Sequence, residues 1–239
     1  WKAIHKVEVP VVSVGNLTTG GTGKTPCVEY VARFYRQLDL RVALLGRGYG
    51  SDVGRNDEAL VLEQNLPDVP HLQGADRVQL ARTAIEELES EIVVLDDGFQ
   101  HRRLHRDLDL VLIDATCAWG HGHLLPRGLL REPIGNLARA DAVLVTRCDL
   151  APPGAVTAIR ETVTRIKEMP IAESVHRPAG WCNATGQRLA VEGMQDRPLA
   201  AFCGLGNPEA YRQTLAKLGM DVIAWRTFPD HHRYTREDV

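Results

Sequence analysis

The sequence has 239 residues, of which 44% are hydrophobic and 25% are charged, as is typical of a globular protein long enough to bury a real core. Its formal net charge of −3 gives no basic excess, so nucleic acid is not an expected partner. The five cysteines show no CxxC pairing, which indicates free thiols in a reducing compartment and excludes a disulfide framework. No apolar run approaches the ~18–20 residues of a membrane-spanning helix, and no signal peptide is present.

The first apolar segments predict a strand, a glycine-rich loop and a helix in that order. Val9–Gly15 is a β-rich run that stops at glycine, and Pro26 suits the first turn of a helix near Pro26–Leu38. Helical spacing follows over Gly74–Leu88. Further apolar runs predict the strands Arg41–Leu45, Ile92–Leu95, Leu108–Ile113 and Ala142–Thr146. Because these runs are continuous and not alternating, they predict a mostly parallel, doubly wound α/β sheet covered on both faces.

A boundary is expected near residue 150, which divides the chain into a nucleotide-binding core (1–150) and a smaller C-terminal α/β subdomain (151–239). A turn-rich connector leads to an amphipathic helix and then to a second βαβ-like unit. These segments are Ala151–Gly154, Ala155–Lys167, Leu199–Cys203, a helix to about Leu218, and Asp221–Trp225. The chain lacks an initiator methionine and stops at Val239 in mid-pattern, so we expect a fragment and an incomplete subdomain.

The loop Thr18–Thr25 matches the phosphate-binding pattern G-x-x-x-x-G-K-[ST], except that Thr18 replaces the first glycine. Glycines let the backbone N–H groups curl around an anion, and the helix N-terminus adds a partial positive charge. The alternative is a glycine-rich turn that only links strand to helix. The predicted nucleotide-binding residues are Gly20, Gly21, Thr22, Gly23, Lys24 and Thr25. Lys24 is expected on the outer phosphates of ATP, and the Thr25 hydroxyl on Mg²⁺.

Two carboxylates, Asp96 and Asp97, end the apolar strand that begins at Ile92. An acidic residue at the carboxyl end of a strand in a P-loop protein faces the nucleotide and holds Mg²⁺. A solvated turn after the strand is the alternative. With the phosphate loop present, the pattern favours a Mg²⁺–nucleotide site.

Several motifs together resemble one family, tetraacyldisaccharide 4'-kinase, the lipid A 4'-kinase. They follow the family's order over almost the whole chain, and the combination is highly specific. The matching segments are Val11–Pro26, Arg47–Gly50, Asp57-Glu58, Asp96–His101 (DDGFQH), Leu125–Pro133 (LPRGLLREP), Gly204–Pro208 (GLGNP) and Phe228–His232 (FPDHH).

The resemblance implies transfer of the ATP γ-phosphate, with Mg²⁺, to the 4'-hydroxyl of tetraacyldisaccharide 1-phosphate. It implies a peripheral or N-terminally anchored location at the cytoplasmic face of the bacterial inner membrane. The membrane surface is therefore an expected partner, and no protein partner is implied. It places Mg²⁺ near Thr25, Asp96, Asp97 and Glu132.

The resemblance also implies a catalytic pair, Asp57 and His231, and the chemistry of phosphoryl transfer adds Arg131 as a catalytic cation. Asp57 would accept the proton of the sugar hydroxyl, oriented by the histidine that follows Asp230. Whether His231 or His232 pairs with it stays open. Lys24, Mg²⁺ and Arg131 would offset the charge on the transferring phosphoryl group. Tyr49, Arg77 and His101 are assigned to the lipid substrate.

Other interpretations remain open from the residues alone. A MinD-like switch ATPase would carry a lysine where Thr19 stands. The segment Thr146–Asp149 (TRCD) is a degenerate form of the guanine-reading NKxD motif, which would suggest a GTPase. A kinase of a soluble small molecule is the nearest enzyme alternative. Leu124 and Leu125 are ambiguous between core packing and an acyl-facing surface.

Overall fold

The computed structural model describes residues 3–48, 57–195, 197–229 and 232–238. The chain divides into two compact units, Trp1–Ser174 and Val175–Val239. No helix within these described ranges is both long and apolar enough to cross a membrane.

The described part of the first unit contains one seven-stranded parallel sheet. Its strands are β1 (Val11–Asn16), β2 (Val42–Gly46), β3 (His71–Gln73), β4 (Ile92–Asp96), β5 (Leu108–Asp114), β6 (Ala142–Thr146) and β7 (Ile171–Glu173). Their spatial order is β3-β2-β4-β1-β5-β6-β7. The predicted α/β class with a mostly parallel sheet is therefore confirmed, and all carboxyl ends of these strands meet at one edge.

Among the described residues, four helices cover this sheet: α1 (Lys24–Arg36), α2 (Asp57–Asn65), α3 (Arg77–Glu86) and α4 (Ala155–Ile166). Alternate residues of a strand point to opposite faces. Val12 therefore packs in one buried cluster with Val28 of α1 and Leu62 of α2. Val11 packs on the other face with Ala81 of α3. Since both faces are covered, the strands are apolar throughout, as the continuous runs predict.

The first unit extends past the boundary predicted near residue 150. The helix α4 buries Ile159 in a cluster with Val143 of β6, and β7 pairs in parallel with β6 through Val143 and Ile171. Both elements complete the sheet, so they lie in the first unit.

The second unit contains β8 (Trp181–Cys182), β9 (Arg188–Leu189), β10 (Pro198–Cys203), α5 (Pro208–Lys217) and β11 (Asp221–Thr227). The Asn207 carboxamide caps α5 by accepting from the backbone N–H of Ala210 at 3.0 Å. The strands β10 and β11 are parallel, so this unit contains the βαβ arrangement that the sequence predicts. Short 3₁₀ segments lie at Gly120–Gly122, Ile134–Arg139 and Val191–Met194.

Candidate active site

The loop between β1 and α1 has the backbone of a phosphate cradle. Gly20 and Gly23 adopt φ angles of 102° and 88°, which side chains rarely tolerate. Gly23 is the N-cap of α1, so the helix begins at Lys24. The free N–H groups of a first helical turn attract an anion. The six predicted nucleotide-binding residues all lie in this loop and in the first turn of α1.

Thr18, which replaces the first glycine of the pattern, is buried and pairs with Leu130 in an antiparallel bridge. The Thr19 N–H donates to the Leu129 carbonyl at 2.8 Å, and the Arg131 N–H donates to the Leu17 carbonyl at 2.8 Å. Extended backbone of this kind admits a β-branched side chain. Position 18 therefore needs no glycine, and the loop is anchored to the segment 129–131.

Three charged side chains meet beside the loop. The Arg131 guanidinium donates two hydrogen bonds to the Asp97 carboxylate, at 2.6 and 2.8 Å, and one to the Asn16 carboxamide oxygen at 3.1 Å. The Lys24 Nζ lies 3.8 Å from the same carboxylate. Lys24, Asp97 and Arg131 expose only 15%, 17% and 19% of their side chains, so solvent weakens these interactions little. Two cations thus share one anion at the edge of the phosphate loop.

Two opposing effects act on the pKa of Asp97. Burial raises it, but the hydrogen bonds from Arg131 and the positive charges of Lys24, Arg131 and Arg77 lower it more, and the net pKa is below the ordinary value. Asp97 is therefore ionised at neutral pH.

Glu132, the next residue after Arg131, is also held by a guanidinium. The Arg139 Nη2 donates to both of its carboxylate oxygens, at 3.0 and 2.9 Å. Gln100 and Asn136 donate to it at 2.9 and 2.8 Å. Arg139 also lies over the Phe99 ring, 4.3 Å from its centroid. Gln100 belongs to the DDGFQH motif, whereas no sequence pattern marked Arg139.

The predicted magnesium ligands differ in their surroundings. Thr25 lies in the first turn of α1, and Asp96 ends β4 next to β1. Asp97 and Glu132 already carry arginine partners. Within the residues that the structure describes, no group of three histidine, cysteine or acidic side chains could hold a metal ion. Mg²⁺ commonly binds one carboxylate together with substrate phosphates and water, and Thr25 with Asp96 fit that manner of binding.

Two of the three residues assigned to the lipid substrate, Arg77 and His101, lie at the carboxyl edge of the sheet near β4. Arg77, buried at the start of α3, follows Asp76, whose carboxylate caps the helix by accepting from two backbone N–H groups. Burial and the charges of Arg77 and Arg103 lower the pKa of His101, so this imidazole is neutral at pH 7. Tyr49 lies outside the described residues.

The structure describes only part of the predicted catalytic pair, which is Asp57 with His231 or His232. Asp57 is the first residue of α2, and its backbone position is the only one of its features described. His231 lies outside the described residues. His232 stacks on Phe228 at 4.5 Å, and its Nε2 lies 3.1 Å from the Asp238 carboxylate. The pairing of Asp57 with a histidine stays a prediction.

Three further groups, Thr146, Arg147 and Asp114, lie on the opposite side of the phosphate loop, where the sequence had indicated only a degenerate base-reading motif. The Thr146 hydroxyl donates to the Thr22 carbonyl at 2.9 Å. Arg147 forms an ion pair with Asp114, and Asp114 ends β5. These groups come together beside the loop only through the order of the strands.

A parallel sheet, a glycine cradle and a lysine at the start of the following helix define a P-loop nucleotide-binding protein. The chain matches the tetraacyldisaccharide-1-P 4'-kinase family over residues 1–239. It belongs to that family.

Individual relatives agree with this assignment. The chain is 38% identical to a tetraacyldisaccharide 4'-kinase of Syntrophus aciditrophicus, with 98% of this chain and 70% of the relative covered. It is 43% identical to one of Anaeromyxobacter dehalogenans, with 98% and 67% covered. A crystal structure of LpxK from Aquifex aeolicus in complex with ATP superposes with a TM-score of 0.74 at 32% identity, covering 98% of this chain and 75% of that one.

A more distant structure, FlhF complexed with GMPPNP and Mg²⁺, has a TM-score of 0.50 at 10% identity, covering 79% of this chain and 73% of that one. That likeness concerns the fold alone. The family assignment removes the alternatives of a MinD-like switch and of a kinase for a soluble small molecule.

Proposed function

We propose that this chain binds ATP with Mg²⁺ and transfers the γ-phosphoryl group to the 4'-hydroxyl of tetraacyldisaccharide 1-phosphate. The observation that carries the proposal is the group formed by Lys24, Asp97 and Arg131 beside the phosphate loop. The family membership supports the lipid acceptor. The ATP complex of the Aquifex relative supports the nucleotide.

In the proposed reaction, the bond from the γ-phosphorus to the β–γ bridging oxygen of ATP breaks and ADP leaves. A new bond forms from the phosphorus to the 4' oxygen, and the hydroxyl proton passes to a base. Lys24 and Arg131 offset the negative charge of the transferring group. A bound Mg²⁺, held by Thr25 and Asp96, would supply further positive charge on the phosphates.

The proton acceptor proposed here is Asp57, oriented by His231. A sugar hydroxyl loses its proton only as it attacks, so a carboxylate must lie within hydrogen-bond reach. Replacing Asp57 with alanine should abolish transfer and leave ATP affinity nearly unchanged. An equal loss of transfer and of ATP binding would assign Asp57 a structural role.

We further propose that the chain works at the cytoplasmic surface of the inner membrane, with the loop of residues 121–127 at the lipid. All seven residues of this loop are exposed. Leu124 and Leu125 expose 45% and 51% of their surface, and Arg127 follows them. Apolar side chains beside a cation suit the boundary between acyl chains and anionic headgroups.

The test is incubation of the purified protein with γ-labelled ATP and tetraacyldisaccharide 1-phosphate, followed by separation of the lipid. Label on the lipid is expected from the unchanged chain. Lys24→Ala should reduce ATP affinity about 10–100-fold, because a charge-assisted contact contributes about 1.5–3 kcal/mol. The control is Lys167→Ala, whose ammonium group contacts Ala140 and Asp141. ATP hydrolysis without any labelled lipid would overturn the proposal.

A further inference from the structure

The carboxyl end of β6 lies directly against the phosphate loop. The Thr146 hydroxyl donates to the buried Thr22 carbonyl at 2.9 Å. A Cβ atom on Gly23 would lie 3.6 Å from the Thr146 methyl group. Thr22 is held from the other side as well, since its hydroxyl accepts from the Asn16 carboxamide at 2.9 Å. Hydrogen bonds therefore hold Thr22 of the phosphate loop between the carboxyl ends of β1 and β6.

Arg147 follows Thr146 in sequence and has an unusual backbone conformation. Its φ angle is 54°, a left-handed conformation that few residues with side chains adopt. Its guanidinium forms an ion pair with Asp114, and the two side chains expose only 13% and 11% of their surface. Thr116 donates its hydroxyl and its backbone N–H to the same carboxylate, at 2.7 and 2.9 Å. The orientation of Arg147 is thus fixed by a hydrogen-bonded acid.

The guanidinium of Arg147 points to the phosphate loop. Its Nη2 lies 3.9 Å from the position that a Cβ atom on Gly21 would occupy. The guanidinium therefore lies within van der Waals distance of the phosphate loop. It is on the side of the loop that faces the ends of β5 and β6.

The two sides of the loop carry different groups. Lys24, Asp97 and Arg131 lie toward β4, and the proposed function places the transferring phosphoryl group there. The remainder of the nucleotide then leaves the loop on the opposite side, where β5 and β6 end. In open α/β sheets, ligands bind across the carboxyl ends of the strands in this way.

We propose that Arg147 is the platform for the base of the bound nucleoside triphosphate, with Asp114 as its positioning residue. This inference rests on the proposed function and adds the base subsite to it. A guanidinium stacks well on a planar ring. Asp149 lies two residues further along, exposed to solvent, and a carboxylate there accepts from the exocyclic amine of a purine.

An additional phosphate contact is the competing role for Arg147. The positive charge of Arg147 is already balanced by Asp114 at close range. A phosphate would have to compete with that carboxylate for the same donors, whereas a ring face does not. The observed pair therefore favours stacking.

Binding of two ligands distinguishes these roles. ATP and inorganic tripolyphosphate share the phosphates, and only ATP has a base. The variant Arg147→Gln is combined with Asp114→Asn, so that no unpaired charge remains buried. We expect ATP to bind about tenfold more weakly, which is within the range of one lost stacking contact, and tripolyphosphate to bind within about twofold of the unchanged chain. Arg160→Gln with Glu173→Gln is the control, since that ion pair is half-exposed on α4 and β7.

The binding measurements test the role of Arg147 separately from the proposed kinase activity. An equal loss for both ligands, or no loss for either, overturns the role of Arg147 and leaves the proposed kinase activity intact. Failure of the unchanged chain to bind ATP and tripolyphosphate overturns both proposals. Asp149→Asn provides a second readout that leaves the buried pair in place. It should weaken ATP and not tripolyphosphate, and an unchanged ATP affinity would remove Asp149 from the subsite.

Discussion

The Arg131 guanidinium and the Asp97 carboxylate face each other with two hydrogen bonds of 2.6 and 2.8 Å. Asp97 follows β4 with a φ angle of 53°, and Arg131 lies in the segment that pairs with the phosphate loop. The pair thus joins two loops that are 34 residues apart in sequence. Both partners are mostly buried, so the geometry of the bond matters as well as the charge.

Arg131→Lys should show how much that geometry contributes. A lysine keeps the positive charge but cannot make the double hydrogen bond. We expect phosphate transfer to fall about tenfold or more, and the free energy of unfolding to fall by about 1–3 kcal/mol. Transfer assays and urea denaturation measure the two effects. Arg160→Lys on the exposed face of α4 is the matched control and should change stability by less than about 0.5 kcal/mol. Equal effects of the two substitutions would contradict this account.

Because the pKa of Asp97 is lowered in the folded protein, the free energy of unfolding should depend on pH in the acidic range. An aspartate whose pKa is lower in the folded state stabilises the protein above its unfolded pKa of about 3.9, and this contribution is lost as the pH falls through the folded pKa. The unchanged chain should therefore exceed Asp97→Asn in unfolding free energy at pH 6, and the difference should shrink below about pH 4. Urea denaturation at intervals from pH 6 to pH 3 measures it. A difference that stays constant over that range would refute the prediction.

Cys27 should be inert to thiol reagents in the folded protein. It packs in the core with Val12 and Val28, and burial raises the pKa of its thiol to about 12. Only the thiolate reacts rapidly. Cys182, which is exposed, provides the internal comparison. Alkylation at pH 8, mapped by mass spectrometry, should label Cys182 first, and Cys27 only after unfolding in urea. Labelling of both at the same rate in the native state would contradict the burial of Cys27.

The exposed leucines of the 121–127 loop should affect lipid contact. Leu124→Ser with Leu125→Ser removes apolar surface from the loop, and each leucine is about half-exposed. We expect less protein to float with vesicles that contain anionic lipid, and transfer to fall through a higher KM for the lipid. Leu60→Ser with Val61→Ser on α2 is the control, because those side chains are similarly exposed, at 49% and 45%. Equal losses for both double variants would show that general hydrophobicity, and not this loop, governs the binding.

The parallel sheet was predictable because its signal is local. Val11 and Val12 face opposite sides, both of which are covered, so a continuous apolar run marks the strand. The positions of the glycine loop before α1 and of Asp96-Asp97 at the end of β4 were predictable for the same reason, since each segment is contiguous in sequence. The short strand β3 was missed because its three residues have no strong pattern, and β7 was missed for the same reason.

The ion pairs of the site were not predictable from one sequence. Arg139 reaches Glu132 across a 3₁₀ segment, and nothing in its neighbours distinguishes it from a solvated arginine. Arg147 meets Asp114 only because β5 and β6 are adjacent in the sheet. Such contacts depend on strand order, which local propensity does not encode.

The backbone bonds from Thr19 to Leu129 and from Arg131 to Leu17 also fix a register. Inserting one residue between Gly128 and Arg131 would displace the guanidinium by one position and bring another side chain toward Asp97. An insertion beside Arg127, at the exposed end of the loop, leaves that pairing intact. We therefore expect insertions to be tolerated beside Arg127 and not between Gly128 and Arg131. The exposed part of the loop can differ in length while its backbone pairing with the phosphate loop is kept.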